Sequence, residues 1–258
     1  MRWLRFSRAG EVGFGCLQED QIAVYRGDLF ARNQPTGETI ALGDVQLETP
    51  CAPSTLIALS NNFHEAAKKY SLPIPQAPLY FLKSANSFCA SGAAIAPPKS
   101  HSGRIIYEGE LGVVIGKRGK DISVDTAPSH IFGYTCVNDV TALELLQSDP
   151  NFPQWTRAKS FDTFTPFGPV IATGLDPAAL VVRTLVNGKE RQNYPVADMI
   201  FSPLQLVSMI SQDVTLMPGD VISCGTSLGA LPLRNGTLVE VIIDGIGTLT
   251  NRYGESPP

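Results

Sequence analysis

The chain has 258 residues, 43% of them hydrophobic and 17% charged, enough to bury a core as one large domain or one domain with a small extension. Its net charge of −4 supplies no basic surface for nucleic acid or an anionic membrane. No stretch approaches the roughly 18 apolar residues of a membrane span, and Met1 to Gly10 lacks the apolar run of a signal peptide, so the expectation is a cytoplasmic protein.

The 23 glycines and 20 prolines separate short segments rich in Val, Ile, Leu and Thr, which predicts a mostly β fold with few short helices. Residues 1–48 read as a small N-terminal β lobe, with strands at Trp3 to Phe6, Gly13 to Gly15 and Gln21 to Tyr25. Pro50 and Pro53 mark the passage into the main body, 49–258. A buried strand is expected over 54–59, then one or two helical turns from His64 to Tyr70, stopped by Pro73 and Pro75. Strands follow at Leu79 to Lys83, Ile105 to Gly116 and Ile131 to Val137. A helix is expected at Ala142 to Leu146. Strands return at Val170–Ile171, Val181 to Val186, Val221–Ile222 and Val239 to Ile243. Pro203 to Ser211 reads as a helix with Leu204, Val207, Met209 and Ile210 inward. The cysteines Cys16, Cys51, Cys89, Cys136 and Cys224 are odd in number and contain no CxxC spacing. Reduced core thiols are therefore expected, rather than a disulfide framework or a zinc site.

The long strand carries the most chemistry. Alternation puts Ile106, Glu108, Glu110, Gly112 and Val114 on one face and Tyr107, Leu111 and Val113 on the other. Both faces are largely apolar, so two covered carboxylates would repel each other and lose hydration. A cation resolves this, and hard oxygen ligands select magnesium, manganese or calcium over zinc. An edge strand with its glutamates facing water is the other reading of the same pattern. At the end of the next strand stand Asn138 and Asp139. An Asp there suits a metal or catalysis, and is also ordinary turn chemistry.

Further motifs follow in order: Gln154-Trp155 with Lys159 and Phe161-Asp162-Thr163-Phe164, then Asn187-Gly188 with Gln192, then Pro218-Gly219-Asp220 with Gly225-Thr226. Together with Glu108-x-Glu110 and Asn138-Asp139-x-Thr141, they make the chain resemble the fumarylacetoacetate hydrolase superfamily from about Pro53 to Asn251. The resemblance implies a mixed β-sandwich or β-roll and a homodimer. It implies Mg2+ or Mn2+ held by Glu108, Glu110 and Asp139, with a small 2-oxo acid bound through its keto and carboxylate oxygens. The ion would act as a Lewis acid and hold the enolate that forms. By the same likeness Lys159 would stabilise a developing oxyanion, Gly225 and Thr226 would bind the substrate carboxylate, and Lys83 would lie near the site mouth or form a structural salt bridge.

The chain departs from the family pattern at the hydrolytic groups. Hydrolysing members carry a lid His and Glu three residues apart. Here those positions are Ala66 and Lys69, and His64 and Glu65 are adjacent residues that cannot share a helical face. His64 is either an acid–base group brought in by lid closure or an ordinary lid surface residue. The Arg and Gln that follow the Asp in relatives are Leu143 and Leu146. Decarboxylation or enol–keto isomerisation of a 2-oxo acid, as in aromatic-compound breakdown, is thus expected ahead of hydrolysis of an acylpyruvate-like substrate. A metal- and carboxylate-binding relative without catalysis is the remaining alternative.

Overall fold

The computed structural model of the chain describes residues 1–254. The N-terminal segment forms β1 (Arg2–Arg8), β2 (Glu11–Gln18), β3 (Gln21–Gly27), β4 (Asn33–Ala41) and β5 (Gln46–Leu47). Then come β6 (Leu56–Ser60), helix α1 (His64–Lys69), β7 (Leu79–Lys83), β8 (Phe88–Cys89) and β9 (Ala94–Ile95). The central segment holds β10 (Ile105–Ile106), β11 (Gly109–Ile115), β12 (Ile131–Asn138), β13 (Thr141–Ala142), α2 (Trp155–Lys159) and β14 (Thr165–Ala172). It is followed by β15 (Val181–Val186), β16 (Lys189–Pro195), α3 (Pro203–Asp213), β17 (Val221–Ser223), β18 (Leu238–Ile243) and β19 (Gly247–Tyr253).

The fold is mostly β, as the residue pattern predicts. A 12-stranded sheet runs β4-β3-β2-β1-β14-β12-β11-β17-β6-β7, with β5 on β1 and β8 on β14. A five-stranded sheet runs β16-β15-β18-β19-β9, and β10 pairs with β13. Most pairs are antiparallel; β17 and β6 run parallel. Leu111, Val113 and Ile115 on one face of β11 join a core cluster with Val182, Val241 and Leu249 of the smaller sheet and Leu206, Val207 and Ile210 of α3. Val114, on the other face, packs in a second cluster with Trp3, Leu56, Val137 and Ile171. β11 is therefore covered on both sides and buried along its whole length. All five cysteines are free and buried, as expected. No helix among the described residues is long and apolar enough to cross a membrane.

Residues 1–48 extend the large sheet: Arg2 and Trp3 pair with Ala172 and Ile171 of β14. Three local expectations are corrected. The strand expected from Ile105 to Gly116 is broken at Tyr107 and Glu108, because the amide of Glu108 bonds the Asn138 side chain at 3.1 Å instead of a ladder partner. The helix expected at Ala142 to Leu146 is β13 followed by one 3-10 turn, Leu143–Leu145; the pairing of Ile105 with Ala142 and Ile106 with Thr141 holds the chain extended there. α3 buries Pro203, Leu206, Val207, Ile210 and Ser211; Leu204 is half-buried and packs against the main core cluster as expected, whereas Met209 is half-buried outside it. Its phase is set from Ser202, which caps it in a reciprocal capping box with Gln205.

Candidate metal centre and active site

Glu108 and Glu110 flank Gly109 at the start of β11, and Asp139 follows the last residue of β12. The β11–β12 register sets Gly109 opposite Asn138, which brings the three acids together. One carboxylate oxygen from each lies within 4.8 Å of the others. Glu110 and Asp139 are buried, and the Glu108 side chain is 17% exposed.

Two lysines converge on the same point. Lys83, from β7, has a side chain 0% exposed and donates to Asp139 Oδ1 at 2.5 Å and to the carbonyl of Phe164 at 3.0 Å. Lys159, the last residue of α2, donates to Asp139 Oδ2 at 2.6 Å and to Glu108 Oε2. These two bonds leave it a third N–H. Glu110 has no lysine: its Oε2 accepts from the Ser223 hydroxyl at 2.5 Å and the Gly225 amide at 2.9 Å. Thr141 donates to Glu108 Oε2 at 3.2 Å.

Burial, and then repulsion by Asp139 and Glu108, pushes the Glu110 carboxyl well above the ordinary carboxylate range. Burial also raises Glu108, against the pull of Lys159. Burial would raise Asp139 too, but Lys159 and Lys83 outweigh it and hold that carboxyl low. Lys159 is raised because Asp139, Glu108 and Glu110 overcome the cost of burying its charge. For Lys83, burial wins and its pKa falls. With all three carboxyls ionised, two ammonium groups leave one negative charge without a partner, that of Glu110, whose pKa burial and this repulsion together raise. An all-oxygen donor set with a charge deficit fits a hard divalent cation, which Glu108, Glu110 and Asp139 would hold.

The floor of the site is fixed from the other sheet. The amide of Gly109 donates to Gln192 Oε1 at 3.0 Å, and its carbonyl accepts from the Thr226 hydroxyl at 2.9 Å and from Tyr194. Gln192 Nε2 in turn donates to Thr226 Oγ1 at 2.9 Å. Gly225 is thus bonded to the acid cluster directly, and Thr226 to the backbone of Gly109 between its two glutamates. Lys83 sits behind Asp139, buried and ion-paired with it, which is the structural salt bridge of the two expectations and not a place at the site mouth. His64 is exposed on the first turn of α1, and no hydrogen bond joins it to the cluster among the described residues. Ala66, the residue at the lid histidine position, is 8% exposed and packs in the main core cluster. Leu146 packs beside a third cluster with Ile105 and Tyr107. Sequence reasoning assigned no role to Ser223, Thr141 or Tyr194, and Gln192 entered only as part of a motif. The signals for this floor in the sequence are the Asn187-Gly188 to Gln192 spacing and the Gly225-Thr226 pair.

A family model described as fumarylacetoacetate (FAA) hydrolase, C-terminal, matches residues 55–253, and one described as Rv2993c-like, N-terminal, matches residues 1–50. An oxaloacetate tautomerase of Bacillus subtilis is 38% identical over 228 residues, covering 83% of this chain and 75% of that protein. The crystal structure of a 5-carboxymethyl-2-hydroxymuconate delta-isomerase from Mycobacterium smegmatis has a TM-score of 0.91 at 35% identity, covering 99% of this chain and 100% of that one. A 2-hydroxyhepta-2,4-diene-1,7-dioate isomerase from Mycobacterium marinum has a TM-score of 0.90 at 35% identity, with both chains covered completely, 100% and 100%.

Proposed function

The chain belongs to the fumarylacetoacetate (FAA) hydrolase family, and from that premise we propose that it is a divalent-metal-dependent enzyme that interconverts the enol and keto forms of a small 2-oxo acid. The observation that carries this reading is the buried Glu108–Glu110–Asp139 cluster with the Lys159 ammonium against two of its carboxylates. Family relatives named as isomerases and a tautomerase support it. Magnesium or manganese is the proposed ion, because both suit carboxylate ligands.

When bound, the ion would act as a Lewis acid toward the keto and carboxylate oxygens of the substrate. The chain supplies the rest. Lys159 keeps its proton, since its pKa is raised, and its third N–H is available to an oxygen that gains negative charge as the enol form develops. Lys83 spends its hydrogen bonds on Asp139 and on the Val140 and Phe164 carbonyls, so its role is to position Asp139. The Gly225–Thr226 turn is the proposed seat for the substrate carboxylate. His64 is the lid acid–base candidate. Its helix is tied to the site floor by Asn62, whose side chain donates to the Cys224 carbonyl at 2.8 Å, next to Gly225.

Hydrolysis ranks lower. It needs an activated water and a separate oxyanion donor set, whereas Ala66 and Lys69 stand at the lid dyad positions and Leu143 and Leu146 at those of the Arg and Gln. Decarboxylation draws on the same electron sink and is the second reading. A homodimer is the proposed assembly, to be checked by light scattering.

The test follows oxaloacetate enol by ultraviolet absorbance, and oxaloacetate and acetylpyruvate by NMR, with and without Mg2+ or Mn2+. The expected result is metal-dependent tautomerisation that falls at least about a hundredfold in Glu110→Ala. Release of carbon dioxide would move the assignment to decarboxylation, and acetate from acetylpyruvate to hydrolysis. Metal binding without turnover of any kind would favour the non-catalytic relative.

A further inference from the structure

We propose that Tyr194 is a positioning residue for the substrate carboxylate: its hydroxyl holds the Gly109 carbonyl and so frees the Thr226 hydroxyl to turn to the substrate. This rests on the reading above that seats the carboxylate at the Gly225–Thr226 turn, and adds what lets that seat open.

Tyr194 lies outside the motifs that mark the site, two residues beyond Gln192. Alternation along β16 puts the two side chains on one face, and both are buried while Arg191, Asn193 and Pro195 are exposed. The Phe63 ring packs edge-on against the phenol, with centroids 4.8 Å apart and planes at 76°, and holds it in place. The Tyr194 hydroxyl donates to the Gly109 carbonyl. The Thr226 hydroxyl donates to the same oxygen at 2.9 Å. The two hydroxyls are 3.4 Å apart. Two side chains therefore serve one carbonyl, the one that lies between Glu108 and Glu110.

Proton accounting gives the second donor its purpose. A threonine hydroxyl has one proton and two lone pairs. In Thr226 the proton goes to Gly109, and one lone pair accepts from Gln192 Nε2 at 2.9 Å. Only a lone pair is left for an incoming group, and a lone pair repels a carboxylate. To act as a seat, the hydroxyl must turn its proton off Gly109. Gly109 is buried, so a carbonyl left without a donor there would cost about as much as the new bond to the substrate returns. The phenol removes that cost, because it holds the carbonyl whichever way the Thr226 proton points. The switch needs only rotation about the Cβ–Oγ bond, and Thr226 is half-buried, with surface to offer a ligand.

Two titrations test this by calorimetry: oxalate, a stable stand-in for a 2-oxo acid on a divalent ion, into protein saturated with Mg2+, and Mg2+ into the metal-free protein. Tyr194→Phe removes one hydroxyl and keeps the ring; Thr226→Val removes the other and keeps the side-chain shape. Each variant should bind oxalate about tenfold more weakly, the size of one hydrogen bond to a charged group. Each should keep wild-type Mg2+ affinity, because the remaining hydroxyl still holds Gly109. Wild-type oxalate affinity in Tyr194→Phe, with Thr226→Val weakened, overturns the inference and leaves the carboxylate seat standing. A Tyr194→Phe variant that loses Mg2+ affinity as much as oxalate affinity also overturns it, because the phenol would then only brace the strand that carries the glutamates. If Thr226→Val binds oxalate normally, the seat reading fails and this inference falls with it.

Discussion

Glu110 is the acid of the cluster that lacks a lysine partner, and its electrostatics give the metal-free protein a characteristic pH dependence. Its folded-state pKa lies well above the 4.5 of a free glutamate. A raised carboxyl favours folding while protonated, so its contribution is fully present below about pH 4.5 and is lost as pH rises through the folded value. Asp139 has the opposite sign, with a folded value below 3.8, and its contribution is constant above about pH 5. The melting temperature of the metal-free protein should therefore fall on going from pH 5 to pH 8, and Glu110→Gln should flatten that slope. Added Mg2+ should raise the melting temperature more at pH 8 than at pH 5, because the ion takes the ionised carboxylate. Differential scanning fluorimetry reads all three effects; a metal-free protein more stable at pH 8 would refute the assignment. Lys159 makes a second residue-scale case. Lys159→Met leaves Glu108 and Asp139 buried with one cation fewer, which in the metal-free protein should cost about 3–5 kcal/mol by urea unfolding. In the same variant Mg2+ should bind more tightly, since a competing charge is gone, while turnover falls.

The element that makes the site is the break before β11. Gly109 sits at that break with the second sheet pressed against it. A Cβ at this position would lie 2.1 Å from Thr184 Oγ1 of β15 and 3.2 Å from Gln192 Oε1 of β16, closer than packed atoms allow. Gly109→Ala must turn the Thr184 side chain away and break the Gln192 contact beneath Gly109, or displace β11 from β15, and a strand shift moves Glu108 and Glu110 relative to Asp139. Calorimetry should show Mg2+ affinity reduced by tenfold or more, on the order of what loss of a supporting contact costs. The double variant Gly109→Ala/Thr184→Ala should recover part of that loss, because the closest atom is the Thr184 hydroxyl. α3, remote from these contacts, gives the contrast. Ser202→Ala removes its cap and should cost about 1 kcal/mol of stability without changing metal affinity.

At the scale of the whole molecule, the N-terminal strands are part of the sheet that carries the site. Trp3 and Cys16 pack in one cluster with Val114 of β11 and Ile171 of β14, and β1 is hydrogen-bonded along β14. Deleting residues 1–48 would bare the edge of β14 and the apolar face beneath Trp3, two features that promote association. The truncated chain should elute from size exclusion as aggregate; a monodisperse truncation that still binds Mg2+ would show that residues 49–258 fold independently.

The acid triad, the family and many of the strands were legible in the residues for local reasons, whereas β4, β16 and β19 were not expected from the pattern. Period-two alternation sets Glu110 apart from Leu111 and Val113 whatever the rest of the chain does, and Asp139 is marked by its place at a strand end within a specific motif. The break at Tyr107–Glu108 was not legible, because it depends on the Asn138 side chain, 30 residues away in sequence. The lysine assignments divide in the same way. Lys159 stands inside a motif, whereas Lys83 takes its place behind Asp139 only once β7 has been brought beside it, across a sequence separation of 56. The support beneath the acids is more remote still: Gln192 reaches Gly109 across 83 residues and Ser223 reaches Glu110 across 113. Residue periodicity reports which face of a strand is buried. Which groups meet that face depends on how the sheets stack, and those long-range contacts leave no local pattern in the chain.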